Sequence, residues 1–259
     1  APVLSIITEN DNSYSLNLLS GAADVDLTDT LSVAGLTLVS GDASGITDNG
    51  TTLGVDPSVY NSLAAGETEV ITYNYNIVDG NGGVVAQTLT ITIIGINDTP
   101  TVSAALTSAV SEDDGAYSLD LLTGAADVDL SDTLSVSGLT LVSGDASGIT
   151  DNGTSLGIDP SAYNSLAVGE TEVVTYSYNV IDSNGGVVAQ SVTITVTGVN
   201  DAPTVSAVVT SEVTEDAGGF SLNLLTNAYD VDLSDTLGVS SLTLVSGDAS
   251  GIIDNGTSL

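Results

Sequence analysis

The side chains of this chain that are equipped for chemistry are acids, and they recur at fixed spacings. Asp24-Val25-Asp26, Asp127-Val128-Asp129 and Asp230-Val231-Asp232 each hold two carboxylates one residue apart. Asn97-Asp98 and Asn200-Asp201 set an amide beside a carboxylate, and Glu9, Glu67, Glu112, Glu170 and Asp182 stand near strand ends. Nothing in the chain neutralises them. Its 259 residues include 34 Asp and Glu and no Lys, Arg or His, for a net charge of −34. Oxygen is the one donor type on offer for a metal. Carboxylate and carbonyl oxygens suit hard divalent cations, Ca2+ first, which takes about six to eight of them.

The same inventory excludes much. No basic patch exists to neutralise phosphate, so nucleic acid is not a partner. No His or Lys base, Cys nucleophile or Arg clamp is present, and acid–base and covalent catalysis lose their usual agents. Zinc, copper and iron sites built on Cys or His are impossible. Paired carboxylates alone suit a glycosidase, but no Trp and one Phe leave little to hold a sugar. We therefore expect no enzyme. No apolar run approaches the ~20 residues of a membrane helix, so this segment is not expected to insert in a membrane. Acidity does not imply disorder, because 42% of the residues are hydrophobic and disordered acidic chains are poor in them.

The elements that must position the acids follow from a repeat. The Asp-Val-Asp triplets lie 103 residues apart, and residues 22–98 differ from 125–201 at 16 of 77 positions. A period near one hundred fits one small domain per repeat rather than a solenoid turn. The expected domains are 1–98, with a first strand five residues short, 99–201, and an incomplete third at 202–259. The chain reads as part of a longer array. Gly95-Ile96-Asn97-Asp98-Thr99-Pro100 and Gly198-Val199-Asn200-Asp201-Ala202-Pro203 are the linkers, each ending in a proline that cannot continue a ladder.

Within a repeat, polar and apolar residues alternate with period two. Tyr73, Tyr75 and Ile77 oppose Thr72, Asn74 and Asn76, and Leu89, Ile91 and Ile93 oppose Thr88, Thr90 and Thr92. Those threonines are read as good strand residues, not as a ligand-binding row. Earlier strands are expected at 3–7, 14–19, 31–39 and around 45–55. One short helical stretch, Asp56 to Leu63, has an Asp cap and Pro at its first position. Asn49-Gly50 and Asn152-Gly153 read as turns rather than as glycosylation sites. About seven strands per hundred residues predict an all-β fold, with tandem antiparallel Greek-key sandwiches of immunoglobulin type.

Strand direction then sorts the loops. If strands A, C, E and G run down, loops BC and FG sit at the top of a domain and loops AB and EF at its bottom. Asp127, Asp129, Asp132 and Asp182 of the second repeat should meet Asn97-Asp98 from one side, and Glu9, Asp11, Glu67 and Glu69 of the first from the other. Glu112, Asp114, Glu170, Glu172, Asn200, Asp201, Asp230 and Asp232 repeat the arrangement. Two carboxylates ~4 Å apart repel by about 4 kcal/mol at an effective dielectric near 20, so such clusters call for bound Ca2+.

The pattern Tyr73-x-Tyr75-x-Ile77-x-Asp79-Gly80-x-Gly82, followed by Thr90-Ile91-Thr92-Ile93-x-Gly95-x-Asn97-Asp98-x-Pro100, resembles the VCBS-type and cadherin-like repeats of giant bacterial RTX surface adhesins. Ser111-Glu112-Asp113 and Asp127-x-Asp129 resemble them too. The resemblance implies immunoglobulin-like extender domains, type I secretion, an extracellular cell-surface location, and Ca2+ at linkers that stiffens the array. Cadherins pair a strand-A Glu, an Asn-Asp linker and an Asp-x-Asp of the next domain, roles that Glu9, Asn97, Asp98, Asp127 and Asp129 match. No glycine-rich RTX nonapeptide occurs in the chain. The function expected is thus a Ca2+-stiffened stalk whose partners are neighbouring repeats. The alternative is a self-associating extracellular fibre or sheath subunit, its half-domain at 202–259 of about four strands completed by strand exchange.

Overall fold

In the computed structural model, which describes residues 2–259, the first seven strands are β1 (Val3–Thr8), β2 (Tyr14–Asn17), β3 (Ser32–Ser40), β4 (Ile46–Asp48), β5 (Thr52–Val55), β6 (Thr68–Val78) and β7 (Val84–Ile94). They form two sheets, ordered β1-β7-β6-β3 and β2-β5-β4. The expected alternation is the cause. Leu89, Ile91 and Ile93 of β7 and Tyr73 and Tyr75 of β6 are buried, and Leu53 and Val55 of β5 meet them from the other sheet with Leu18. Each such side chain contributes about 1.5–3 kcal/mol by leaving water. Tyr75 reaches across this core to donate its hydroxyl to the carbonyl of Leu18 at 2.9 Å.

The Asp56–Leu63 stretch is a single turn of 3-10 helix over Pro57–Tyr60, capped by the Asp56 carboxylate on the N–H of Ser58. One pairing departs from the antiparallel expectation. β1 lies parallel to β7, from Val3 opposite Leu89 to Thr8 opposite Ile94. The first and last strands run the same way, and β1 adds to the sheet at the β7 edge.

The next strands are β8 (Thr101–Val102), β9 (Leu106–Ser111), β10 (Tyr117–Asp120), β11 (Ala125–Ala126), β12 (Ser135–Ser143), β13 (Ile149–Asp151), β14 (Ser155–Ile158), β15 (Thr171–Ile181) and β16 (Val187–Thr197). Their sheets repeat the first pattern as β12-β15-β16-β9 and β10-β14-β13, with β8 added against β11. β9 again runs parallel to β16.

Residues 202–259 depart from the expectation of about four strands. They hold β17 (Thr204–Val205), β18 (Ala228–Tyr229) and an isolated bridge from Asn223 to Ser258. The reason is pairing. β3 is held by β6 and β1 by β7, and residues 202–259 hold no counterpart of β6 or β7.

By compactness the chain divides into two units. One comprises residues 1–104, 122–137 and 179–190, and the other 105–121, 138–178 and 191–259. The first holds the core described above. The second buries Leu121, Leu156, Ile158, Tyr163, Val174, Tyr176 and Tyr178, with Val192, Ile194 and Val196. No helix is long and apolar enough to cross a membrane.

Candidate metal centre

Every residue of the first acidic centre lies in the first unit. The parallel pairing of β1 carries one residue past the ladder, where the N–H of Glu9 still donates to the carbonyl of Ile94 at 3.1 Å. That register aims the Glu9 side chain inward, fully buried, with Oε1 accepting from the Ile96 N–H at 2.7 Å. The linker turns at Gly95, where a Cβ would run into the carbonyls of Leu63 and Ala64; no other residue fits. Asp98 follows. Its N–H donates to Oδ2 of Asp129 at 2.9 Å, and its own Oδ2 accepts from Asn61 Nδ2 at 2.7 Å. The N–H of Asp129 donates to Asp127 Oδ1 at 3.1 Å.

A second set stands beside the first. Asp182, 5% exposed, gathers the N–H groups of Asn184, Gly185 and Gly186 on Oδ1, and its Oδ2 accepts from Asn97 Nδ2 at 3.1 Å. Asn184 donates in turn to Asp132. Oxygens of Glu9, Asp98 and Asp129 lie within 4.8 Å of one another, as do those of Asp127, Asp132 and Asp182.

The hydrogen bonds leave a remainder. Among the described residues, the buried side-chain oxygens without a partner are Glu9 Oε2, Asp127 Oδ2, Asp129 Oδ1 and Asp132 Oδ2, with Asn97 Oδ1, Glu112 Oε2 and Asp232 Oδ1 as well. All seven belong to the two linker regions. A buried acceptor without a donor costs about 1–3 kcal/mol, more if charged, and this chain has no cationic side chain to supply. Titration reflects the strain. Burial pushes the Glu9 carboxyl up despite its bond from Ile96, and Asp129 and Asp98 nearby push it further. Burial also raises Asp129 against its bond from Asp98, with Asp98, Asp127 and Asp132 adding repulsion. Asp182 goes the other way. Burial opposes ionisation, but the donors from Asn97, Gly186, Asn184 and Gly185 hold its carboxyl below the usual range.

The second unit repeats the first set. Glu112, 1% exposed, accepts from Val199 N–H at 2.7 Å, Asp201 N–H donates to Asp232 at 2.9 Å, and Asn164 donates to Asp201 at 2.8 Å. Asp230 accepts from the Asp232 N–H at 3.2 Å, and Asn200 donates to the carbonyl of Asp201 at 2.7 Å.

Several acids placed by topology at the junctions are engaged elsewhere. Glu67 and Glu170 are exposed and accept from Ala64 and Ala167 N–H at 3.1 Å, outside the close groups. Glu69 and Glu172 accept from Asp42 and Asp145 N–H at 2.6 Å. Asp11 and Asp114 cap Thr8 and Ser111 at 2.8 Å. Asp132, expected to approach Asn97-Asp98 with Asp127 and Asp182, lies in a close group with those two acids. Asn61 and Asn184, which hold Asp98 and Asp132, carry no local mark of that role in the sequence. Their recurrence as Asn164 and Asn81 was the available signal.

A model of the cadherin-like domain matches residues 1–94 and 96–197. The chain belongs to the cadherin-like domain family. This cadherin-like chain is also similar to the solved structure of human mucin-like protocadherin EC1-2, at 15% identity over 76% of this chain and 96% of that one, TM-score 0.45. For mouse clustered protocadherin gamma-C3 EC1-3 the figures are 16%, 89%, 77% and 0.43. For Drosophila N-cadherin EC1-4 they are 15%, 78%, 50% and 0.37. No curated protein matches the chain.

Proposed function

We propose that this cadherin-like chain is a Ca2+-stiffened extender segment of an extracellular bacterial surface adhesin, its repeats 1–98, 99–201 and 202–259 setting length and its linkers setting stiffness. The observation that carries the reading is the set of seven buried, unpartnered oxygens, every one at a linker. Hard-cation coordination is the chemistry that satisfies them.

Glu9 Oε2, Asp98 and Asp129 Oδ1 would hold one ion, and Asp127, Asp132, Asp182 and Asn97 Oδ1 a second. Glu112, Asp201 and Asp232 would hold the counterpart of the first, with Asp230 and Asn200 beside them. Glu67 and Glu170 stand close by on exposed loops and would join by a change of rotamer. Bound Ca2+ supplies the positive charge that turns repulsion into cohesion. The protein's part is orientation: the Ile96, Asp98 and Val199 N–H groups each fix one carboxylate oxygen and leave the other for the metal. Extracellular Ca2+ modules bind with dissociation constants of about 10⁻⁴–10⁻³ M, so the sites would fill after export and stay empty where Ca2+ is scarce. Type I secretion and a VCBS/RTX-type parent protein belong to the same proposal.

The test is a thermal melt and small-angle scattering of the chain with Ca2+ and with chelator. The reading requires a higher melting temperature and a longer, stiffer particle with Ca2+. It is abandoned if chelation changes neither.

A further inference from the structure

Five Asn-Gly pairs occur in the chain, beginning at Asn49, Asn81, Asn152, Asn184 and Asn255. Asparagine is a thermolabile residue, and most so before glycine, where no Cβ shields the next N–H from the asparagine amide. Asn49, Asn152 and Asn255 sit in turns, their N–H groups donating to the carbonyls of Thr52, Ser155 and Ser258 at 2.9 Å. Asn184 stands elsewhere, exposed in the loop between β15 and β16. Among the described residues it is the one of the five whose side-chain amide is held by a carboxylate, donating from Nδ2 to Asp132. A second carboxylate holds its backbone. The N–H groups of Asn184 and Gly185 donate to Asp182 Oδ1 at 2.8 and 2.6 Å. Gly185 has a φ of 104°, a conformation open to glycine.

Asp132 and Asp182 thus restrain both partners of one reaction, deamidation. In it the Gly185 nitrogen gives its proton to solvent and its electron pair forms a bond to Asn184 Cγ. The Cγ–Nδ2 bond breaks and ammonia leaves with a proton. Water then opens the cyclic imide at either carbonyl, leaving aspartate or isoaspartate at 184. For this to happen the amide must turn away from Asp132. The Gly185 nitrogen must also become an anion beside the Asp182 carboxylate, which repels it.

We propose that Asn184-Gly185 is a self-modification site gated by the second acidic group, closed while Asp132 and Asp182 hold the loop and open to deamidation when they release it. The gating rests on the cation reading: a bound cation draws these carboxylates together, and without one Asp127, Asp132 and Asp182, with oxygens within 4.8 Å, repel. The product adds a fourth carboxylate to that group. Isoaspartate also carries the side-chain methylene into the main chain and moves the Gly185 and Gly186 donors off Asp182. A junction left stripped then loses its second group irreversibly.

The test incubates the 259-residue chain with Ca2+ or with chelator and counts deamidation at each Asn-Gly pair by mass spectrometry of peptic peptides. In chelator the Asn184 rate should rise about tenfold, the worth of one or two such hydrogen bonds, while Asn49 and Asn152 keep theirs. Asp132→Ala frees the amide without touching the bond that breaks, and should raise the Asn184 rate in either buffer. Equal Asn184 rates in the two buffers, where Ca2+ still raises the melting temperature, overturn the gating and leave the cation reading standing. If Ca2+ leaves the melting temperature unchanged, the cation reading fails and the hold is judged on Asp132→Ala. An unchanged Asn184 rate in that variant overturns the proposal in every case. A joint rise at Asn49, Asn152 and Asn184 reports general unfolding and overturns it as well.

Discussion

The backbone N–H of Asp98 donates to Oδ2 of Asp129 at 2.9 Å, and 103 residues later the N–H of Asp201 donates to Oδ2 of Asp232 at the same distance. One carboxylate oxygen is tied to the linker and its twin, Oδ1, is buried without a partner in both places. The linker therefore holds the carboxylate in place for a ligand instead of satisfying it.

Asp129→Asn should separate these two roles. The amide keeps the size and an acceptor for Asp98 N–H but removes a charge that Asp98, Asp127 and Asp132 repel. Without metal the variant should melt at or above the parent temperature, while its Ca2+-induced rise should shrink. Asp129→Ala should instead cost about 1.5–3 kcal/mol without metal, through the lost charged hydrogen bond. Calorimetry with and without Ca2+ reads both.

Gly186→Ala should disturb the second group without removing any carboxylate. A Cβ at Gly186 would run into Asp182 Oδ2 and lie 3.0 Å from Asn97 Nδ2. Overpacking of this kind costs about 1–3 kcal/mol. The expected result is weaker Ca2+ binding with intact secondary structure, measured by titration calorimetry and circular dichroism.

Acid should act in opposite directions on the two forms. Glu9 and Asp129 have carboxyls raised above their ordinary 4.5 and 3.8. Their ionised forms are less stable in the fold, so the metal-stripped fold binds protons more readily than the unfolded chain. Their contribution improves as pH falls through the raised values and levels off below the ordinary ones. Asp182, held low, opposes this only below 3.8. Metal-stripped protein should thus gain stability between neutral pH and pH 4.5, the ordinary value for Glu9. Ca2+-loaded protein should lose it, because protons compete for the ligands. Melting curves at both pH values decide it.

Alkali should unfold the second unit through its core tyrosine. Burial pushes the Tyr178 hydroxyl up to about 12, and it donates to the Leu121 carbonyl at 2.8 Å. A raised acid is protonated and stabilising below its ordinary value of 10.0. That stability is lost as pH rises toward about 12. Tyrosinate absorbance should rise in step with loss of circular dichroism. Tyr178→Phe should cost about 0.5–1.5 kcal/mol at neutral pH.

Much of the fold was legible because one face of each strand is buried. Alternation in Thr68–Val78 and Val84–Ile94 named the buried side chains, and Asp56-Pro57 named the helical turn. Long-range choices were not legible. Glu69 and Glu67 are two residues apart with the same charge, yet only the turn at Gly41-Asp42, 27 residues away, draws Glu69 off to cap Asp42. Asn61 holds Asp98 across 37 residues, and no local pattern marks that pairing.

The sequence by itself determined the 103-residue period, the alternating strands, the absence of any cationic side chain and the concentration of acids near Asn97-Asp98 and Asn200-Asp201. Tertiary structure alone decided which oxygens are paired and which are left over. Parallel docking of β1 on β7 buries Glu9, and the turn of the linker brings Asp98 N–H onto Asp129. A carboxylate has two oxygens, and sequence counts both alike. Only the fold, by giving a donor to one and burying the other, separates an oxygen that is satisfied from one that calls for a cation.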